Sequence, residues 1–316
     1  MVDVLVCGSV AIDLIGQYQG SFKQYQENYE IQALNISLQL AEMRSSFGGC
    51  GMNITYGLNR LGVNCVPLSA VGANYQDHYQ AHLLSLGINT DYIAIDEKYD
   101  QCATCILVTD DTGNQITLFH PGAAMSDKRI LPGEIEGIEN CQLAVLAPED
   151  AKVMIRQARE LNRLAIPMIF DPGQVLDKFD QAEIHELSGL SQYAIFNQHE
   201  FDMLLTRSGL TEANIRSQLQ QVIVTRSEKG VDIYEGTTKT HVDAVPANSI
   251  LDPTGCGDAF RAGYVYGLIL GLEATPCARL GSLMAAENLR SPETQNYSID
   301  SSTLKAAYKT MYQDPY

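Results

Sequence analysis

The sequence predicts an α/β protein in which a mostly parallel central sheet is covered by helices and flanked by a second, smaller sheet. Three observations predict it. Short runs rich in Val, Ile and Leu recur along the chain, as strands buried on both faces require. Segments of helical period stand between those runs, giving the βαβα rhythm of a covered parallel sheet. Two stretches, 17–46 and 102–120, break that rhythm with β-like patterning.

The first strand is expected at Val4–Cys7, in the opening MVDVLVCGSVAID. A helix over 52–61 is stopped by Gly62, a strand follows at Cys65–Val71, and a second helix over 76–86 is stopped by Gly87. Further strands are expected at Leu143–Leu146, Met168–Phe170, 193–196 and 222–225, with a helix over 149–162 after the first of them. The segment 17–46 shows no clear helix and alternates loosely, as in YEIQALNISLQL. Residues 102–120 read as two strands joined by Asp110, Asp111, Thr112, Gly113 and Asn114, a loop of turn-forming residues. Together these insertions predict a small sheet covering a site at the carboxyl edge of the main sheet, a lid on one domain spanning 1–316.

Composition narrows the function. Lys and Arg total 21 against 38 Asp and Glu, a formal charge of -17 over 316 residues that repels nucleic-acid backbones and anionic membranes. The amino end has no basic region ahead of its apolar run, and the longest later apolar stretch, 262–272, is too short to cross a bilayer. A cytoplasmic protein without nucleic-acid or membrane partners is expected. Eight cysteines suit reduced thiols there. Cys7, Cys65 and Cys141 read as core residues, and Cys102 with Cys105 lacks the second pair a zinc site would need.

The stretch 251–268, LDPTGCGDAFRAGYVYGL, carries the chemistry. A glycine turn leads directly into an apolar helix, whose first amides are unpaired donors at the positive end of a dipole. That suits a phosphate. Asp258 would repel such an anion, so it reads either as a base taking a proton from an attacking hydroxyl or as a helix cap. A Walker A loop occurs nowhere. The triplets Gly49-Cys50-Gly51 and Gly255-Cys256-Gly257 lack the third glycine of a dinucleotide fingerprint, having Ile54 and Phe260 in that place.

Asp252, Thr254, Gly255, Gly257 and Asp258 resemble the DTxGAGD signature of the ribokinase-like (PfkB) family, with Pro253 inside the pattern and Cys256 where alanine is usual. Gly48, Gly49 and Asn53 resemble its Gly-Gly/Asn signature, and Asp13 matches its first-strand acidic residue. Asn197 and Glu200 resemble its NxxE element. Val224, Thr225 and Gly230 resemble its VTxGxxG nucleotide loop, with Ser227 in place of a glycine.

The resemblance implies a three-layer α/β/α sandwich with a small β-sheet lid. It implies Asp258 as catalytic base, Gly255, Cys256 and Gly257 as an anion hole, and Asp13, Gly48, Gly49 and Asn53 around the acceptor. Asn197, Thr225, Ser227, Gly230 and Thr254 would bind ATP, and Glu200 would hold Mg2+ through water. Asp171 reads as a polar group near the nucleotide or as a turn residue.

Sugar and nucleoside kinases share these signatures. The phrases SFGGCGMNITYGLNRLG, FHPGAAMS and GCGDAFRAG resemble the bacterial and archaeal adenosine and nucleoside kinases more closely. The expected reaction is therefore phosphoryl transfer from ATP to the 5′-hydroxyl of a purine ribonucleoside. A sugar kinase acting on ribose or fructose is the alternative, and a ligand sensor on a kinase fold the non-enzyme one. Tyr25, Tyr29, Ile31, Leu34, Ile36 and Leu38 in the first insertion, with Phe119 and His120 in the second, are candidates for enclosing a base. The lid is also a candidate homodimer surface.

Overall fold

The computed structural model describes residues 2–27, 37–247 and 249–314. In chain order its elements begin with β1 (Val4–Cys7), β2 (Ala11–Tyr18), α1 (Phe22–Glu27), β3 (Leu40–Gly48) and α2 (Cys50–Arg60). There follow β4 (Cys65–Val71), α3 (Tyr79–Ser85), β5 (Ile93–Ile95), β6 (Ala103–Asp110), β7 (Gln115–His120), β8 (Leu143–Leu146) and α4 (Ala151–Arg163). The middle of the chain supplies β9 (Met168–Phe170), α5 (Gln181–Leu190), β10 (Tyr193–Asn197), α6 (Gln198–Ser208), α7 (Glu212–Gln218) and β11 (Gln221–Thr225). The last are β12 (Val231–Glu235), β13 (Thr238–Val242), α8 (Cys256–Ile269), α9 (Ala274–Asn288) and α10 (Ser301–Tyr312).

Among the described residues the main sheet has nine strands in the order β13-β12-β11-β10-β9-β8-β1-β4-β5. Its strands run parallel except for the antiparallel edge β11-β12-β13. Alternate side chains enter opposite cores, as the period of two dictates. Val4, Val6, Val145, Ile169, Ile195 and Ile223 face the layer of α2, α8, α9 and α10. Leu5, Cys7, Leu146, Phe170, Phe196 and Val224 face that of α4, α5, α6 and α7. The stretch 262–272 begins inside α8, whose residues Ala262, Tyr264 and Val265 are fully buried. Among the described residues no helix is long and apolar enough to cross a membrane.

The second sheet has the order β3-β2-β6-β7 among the described residues. Several boundaries differ from expectation. The small sheet starts at Ala11, so Asp13 stands on its strand β2 and not on the first strand of the main sheet. The reason is the sharp break at Gly8–Val10, which turns the chain out of the main sheet at once. A short helix, α1, lies in the segment expected to hold none. The helix expected over 76–86 divides into a 3-10 turn, Ala73–Gln76, and α3. The one expected from 149 begins at Ala151, because Asp150 caps it through Lys152 and Val153, and Glu149 instead forms a buried ion pair with Arg129. Tyr29, Ile31, Leu34, Ile36 and the side chain of Tyr25 lie outside the described residues. Leu38 is half-buried.

Candidate active site

The parallel register lines up the carboxyl ends of the strands. Cys7 pairs with Leu146, Leu146 with Phe170, and Asn197 with Thr225, so Gly8, Asp171, Asn197 and Thr225 share one edge. The chain leaves β1 for β4 on one side and β8 lies on the other, so this edge contains the reversal of strand order where α/β sheets open a crevice. Close backbone approach shapes it. A Cβ on Gly8 would stand 2.8 Å from the Cα of Gly51, which lets α2 start directly over the end of β1.

Gly255, at φ +75°, is the N-cap of α8, and no side chain caps that helix. Of the turn's amides, that of Cys256 reaches back to the Pro253 carbonyl at 3.3 Å. Asp258 lies in the first helical turn but does not act as a cap: its Oδ2 accepts from Nδ2 of Asn53 on α2 at 2.8 Å. Burial pushes the Asp258 carboxyl up, while Arg261 and the bonds from Asn53 and the Cys50 thiol pull it down. Arg261 itself is buried and forms a two-pronged pair with Asp171, one bond at 2.6 Å and the other through Nε. Burial works against its charge, but Asp171, Asp258 and Glu200 more than offset that and hold it protonated. Burial also lifts Asp171 to about 6 against the pull of Arg261. A Cβ on Gly257 would stand 2.9 Å from Arg261 Nη1, so the guanidinium packs directly beneath the glycine turn.

Asp13 faces this turn from the small sheet. Its carboxylate occupies the space a side chain on Gly48 would fill, which accounts for glycine there. Gly49, at φ +94°, caps α2 against the Ser9 carbonyl. Burial, then the neighbouring Asp258 and Asp252, raise Asp13 to about 7, with Arg44 opposing. Arg44 also pairs with Asp252 at 2.9 Å, tying β3 to the loop before α8, and the Thr254 amide donates to the same carboxylate at 2.9 Å. Strand register puts Cys105 and Phe119 on the Asp13 face of the small sheet. His120 falls on the opposite face.

The residues expected to bind ATP have local roles of their own. Asn197 and Glu200 form a capping box at the start of α6, with bonds of 2.8 and 2.8 Å between each side chain and the other's amide and a third of 2.7 Å between the side chains. Thr225 ends β11 and donates to the Phe196 carbonyl at 3.4 Å. Ser227 holds φ +53°, the left-handed conformation that glycine would adopt freely. Gly230, at φ +87°, lies against the Val242 carbonyl and leaves no room for a side chain. Among the described residues no group of three or more His, Cys, Asp or Glu could hold a metal ion, Cys102 and Cys105 included.

Three contributors escaped the sequence reading. Arg261 follows Asp258 by three residues on one helix, a spacing that places both on the same face and could have revealed it. Cys50 and Gln295 have no such local signal.

An uncapped helix start with a buried carboxylate beside it, at the crevice of a parallel sheet, suits a phosphotransferase acting on an alcohol. The chain belongs to the pfkB family of carbohydrate kinases, whose model matches residues 1–301. It is 30% identical to the nucleoside kinase of Methanocaldococcus jannaschii over 258 residues, 80% of this chain and 82% of that protein. Its fold is similar to that of Burkholderia thailandensis nucleoside kinase in complex with inosine, with a TM-score of 0.89, 33% identity and 99% of each chain covered. Against the ligand-free form of that enzyme the TM-score is 0.82, with 34% identity and 96% and 99% covered.

Proposed function

We propose that this kinase transfers the γ-phosphoryl group of ATP to the 5′-hydroxyl of a purine ribonucleoside. The observation that carries the reading is the buried Asp258 carboxylate, held by Asn53 at an uncapped helix start and faced by Asp13 from the small sheet. Asp13 can accept two hydrogen bonds from a ribose diol, alongside Gly48, Gly49 and Asn53, which directs the 5′-hydroxyl toward Asp258. Asp258 takes the hydroxyl proton as the oxygen attacks the phosphorus, the bond to the departing ADP oxygen breaks, and charge accumulates on the equatorial oxygens. Amides of Gly255, Cys256 and Gly257 meet that charge, with the Arg261 guanidinium behind them. Thr225, Ser227, Gly230, Thr254 and Asn197 line the ATP side. Mg2+ bound together with ATP would supply neutralising charge. Such an ion needs only one or two carboxylates besides water and phosphate oxygens, and Glu200, close enough to act on Arg261 and Asp258, fits that need through water.

The base is favoured over a free sugar by two observations. Phe119 shares the Asp13 face of the small sheet and offers a ring for stacking, worth about 1–3 kcal/mol per base. The relatives named above are nucleoside kinases, one of them solved with inosine, and the small sheet, whose Asp13 face looks onto the glycine turn, would serve as a lid carried by one domain. Its opposite face exposes Met43 and Leu118, 64% and 57% accessible, and is our candidate surface for a second copy of the chain. Light scattering showing a monomer at micromolar concentration would dismiss that dimer.

ADP release from ATP and Mg2+ with adenosine, inosine, cytidine, ribose or fructose tests the substrate. We expect the highest kcat/KM for a purine nucleoside. A free sugar exceeding every nucleoside would overturn the acceptor, and no turnover with any of them would favour a ligand sensor.

A further inference from the structure

The segment after α9 contains the most heavily used buried amide near the site. Gln295 Nε2 donates to Asn53 Oδ1 at 2.9 Å and to Tyr79 Oη at 2.8 Å, which uses both of its hydrogens. Tyr79 Oη in turn donates to the Gly48 carbonyl at 2.6 Å, and Gln295 Oε1 lies 3.1 Å from His82 Nε2. The neighbouring Thr294 donates to the Phe47 carbonyl at 2.7 Å and fills the space beside Gly255. Thr294 and Gln295 therefore touch the end of β3, the start of α2 and the start of α8 at once.

Hydrogen-bond polarity runs one way through this chain. An ionised Asp258 only accepts, so Asn53 must present its NH2 and turn its oxygen outward. That oxygen requires the NH2 of Gln295, whose own oxygen then requires an N–H on His82 Nε2. We infer that Gln295 is a positioning residue for phosphoryl transfer: it locks the Asn53 amide with its donor toward Asp258 and, through Tyr79, holds the Gly48 backbone beside Asp13. The inference rests on Asp258 being the base. Without Gln295 the Asn53 amide can turn over and set its oxygen against the carboxylate, which displaces Asp258 from the acceptor hydroxyl.

The test is a double-mutant cycle on kcat. Gln295→Met keeps the volume and removes the bonds, and should lower kcat about fivefold or more while leaving KM for ATP unchanged. Added to Asn53→Ala it should lower kcat much less than it does alone, because the part of its effect that passes through Asn53 is already lost. Gln295→Glu presents an acceptor to Asn53 Oδ1 and should lower kcat more than Gln295→Met does. In the wild-type protein, 15N-histidine spectra should show His82 with its proton on Nε2. Additive losses in the cycle, an unchanged kcat in Gln295→Met, or an Nδ1–H tautomer at His82 would each overturn the inference. The base assignment is tested separately by Asp258→Asn, so the two can fail independently.

Discussion

Two helices begin at the same edge of the main sheet, and their first turns are opposites. At α6, Asn197 and Glu200 satisfy each other's amides, so the helix start is closed by its own side chains. At α8, glycine takes the capping position, no side chain caps, and the one carboxylate in the first turn bonds to Asn53 on another helix. A capped start gains stability and has spent its donors; an uncapped one gives up that stability and keeps donors for a ligand. In the proposed function the anion therefore goes to α8 and not to α6, although a motif match alone marks both starts as functional.

The largest effect that could sharpen this contrast is the charge crowded around α8. Asp13 has its carboxyl raised to about 7 by burial and by Asp258 and Asp252. Because the folded value lies above the ordinary one near 3.8, this group's contribution to stability is fully present below about pH 4 and is lost as pH rises to about 7. Asp13→Asn should therefore stabilise the ligand-free protein, by up to about 4 kcal/mol at pH 8 and progressively less toward pH 4, in denaturant titrations. The same variant should lose acceptor use far more than ATP binding. A stability gain independent of pH would mean that Asp13 is not the strained carboxylate.

Gly255→Ala comes next. Its φ of +75° and a Cβ 2.8 Å from Thr294 should cost about 1–2 kcal/mol of stability together with most of the activity. Asn197→Ala opens the capping box and should cost about 1 kcal/mol in thermal unfolding while kcat with saturating ATP falls much less than in Gly255→Ala. A reversed order of activity losses would break the contrast between the two helix starts. Ser227→Gly relieves a left-handed serine at φ +53° and should change stability by under about 1 kcal/mol, leaving KM for ATP within about twofold.

The frame of the fold was legible because its strands are buried on both faces and advertise themselves as continuous apolar runs: the first four expected at Val4–Cys7, Cys65–Val71, Leu143–Leu146 and Met168–Phe170 fall where they stand. The antiparallel edge β12-β13 was not, since Thr238–Val242 is polar and exposed at its outer positions. In the site, the glycine turn with Asp258 was visible as local sequence. The partners of Asp258 were not: Asn53 precedes it by 205 residues, and Gln295 follows Asn53 by 242, so only folding brings them together. The Asn197–Glu200 motif was visible, yet its three-residue spacing is equally that of a capping box, so the sequence alone did not separate the two roles.

The central claim is that Asp258 moves a proton while the glycine turn binds the phosphoryl group. Asp258→Asn separates the two, because the amide keeps the shape and removes the base. Calorimetric titration with ATP and with the preferred nucleoside, followed by single-turnover ADP formation, should show both ligands bound and transfer slowed at least about a hundredfold. Transfer within about threefold of wild type, with binding intact, would contradict the account.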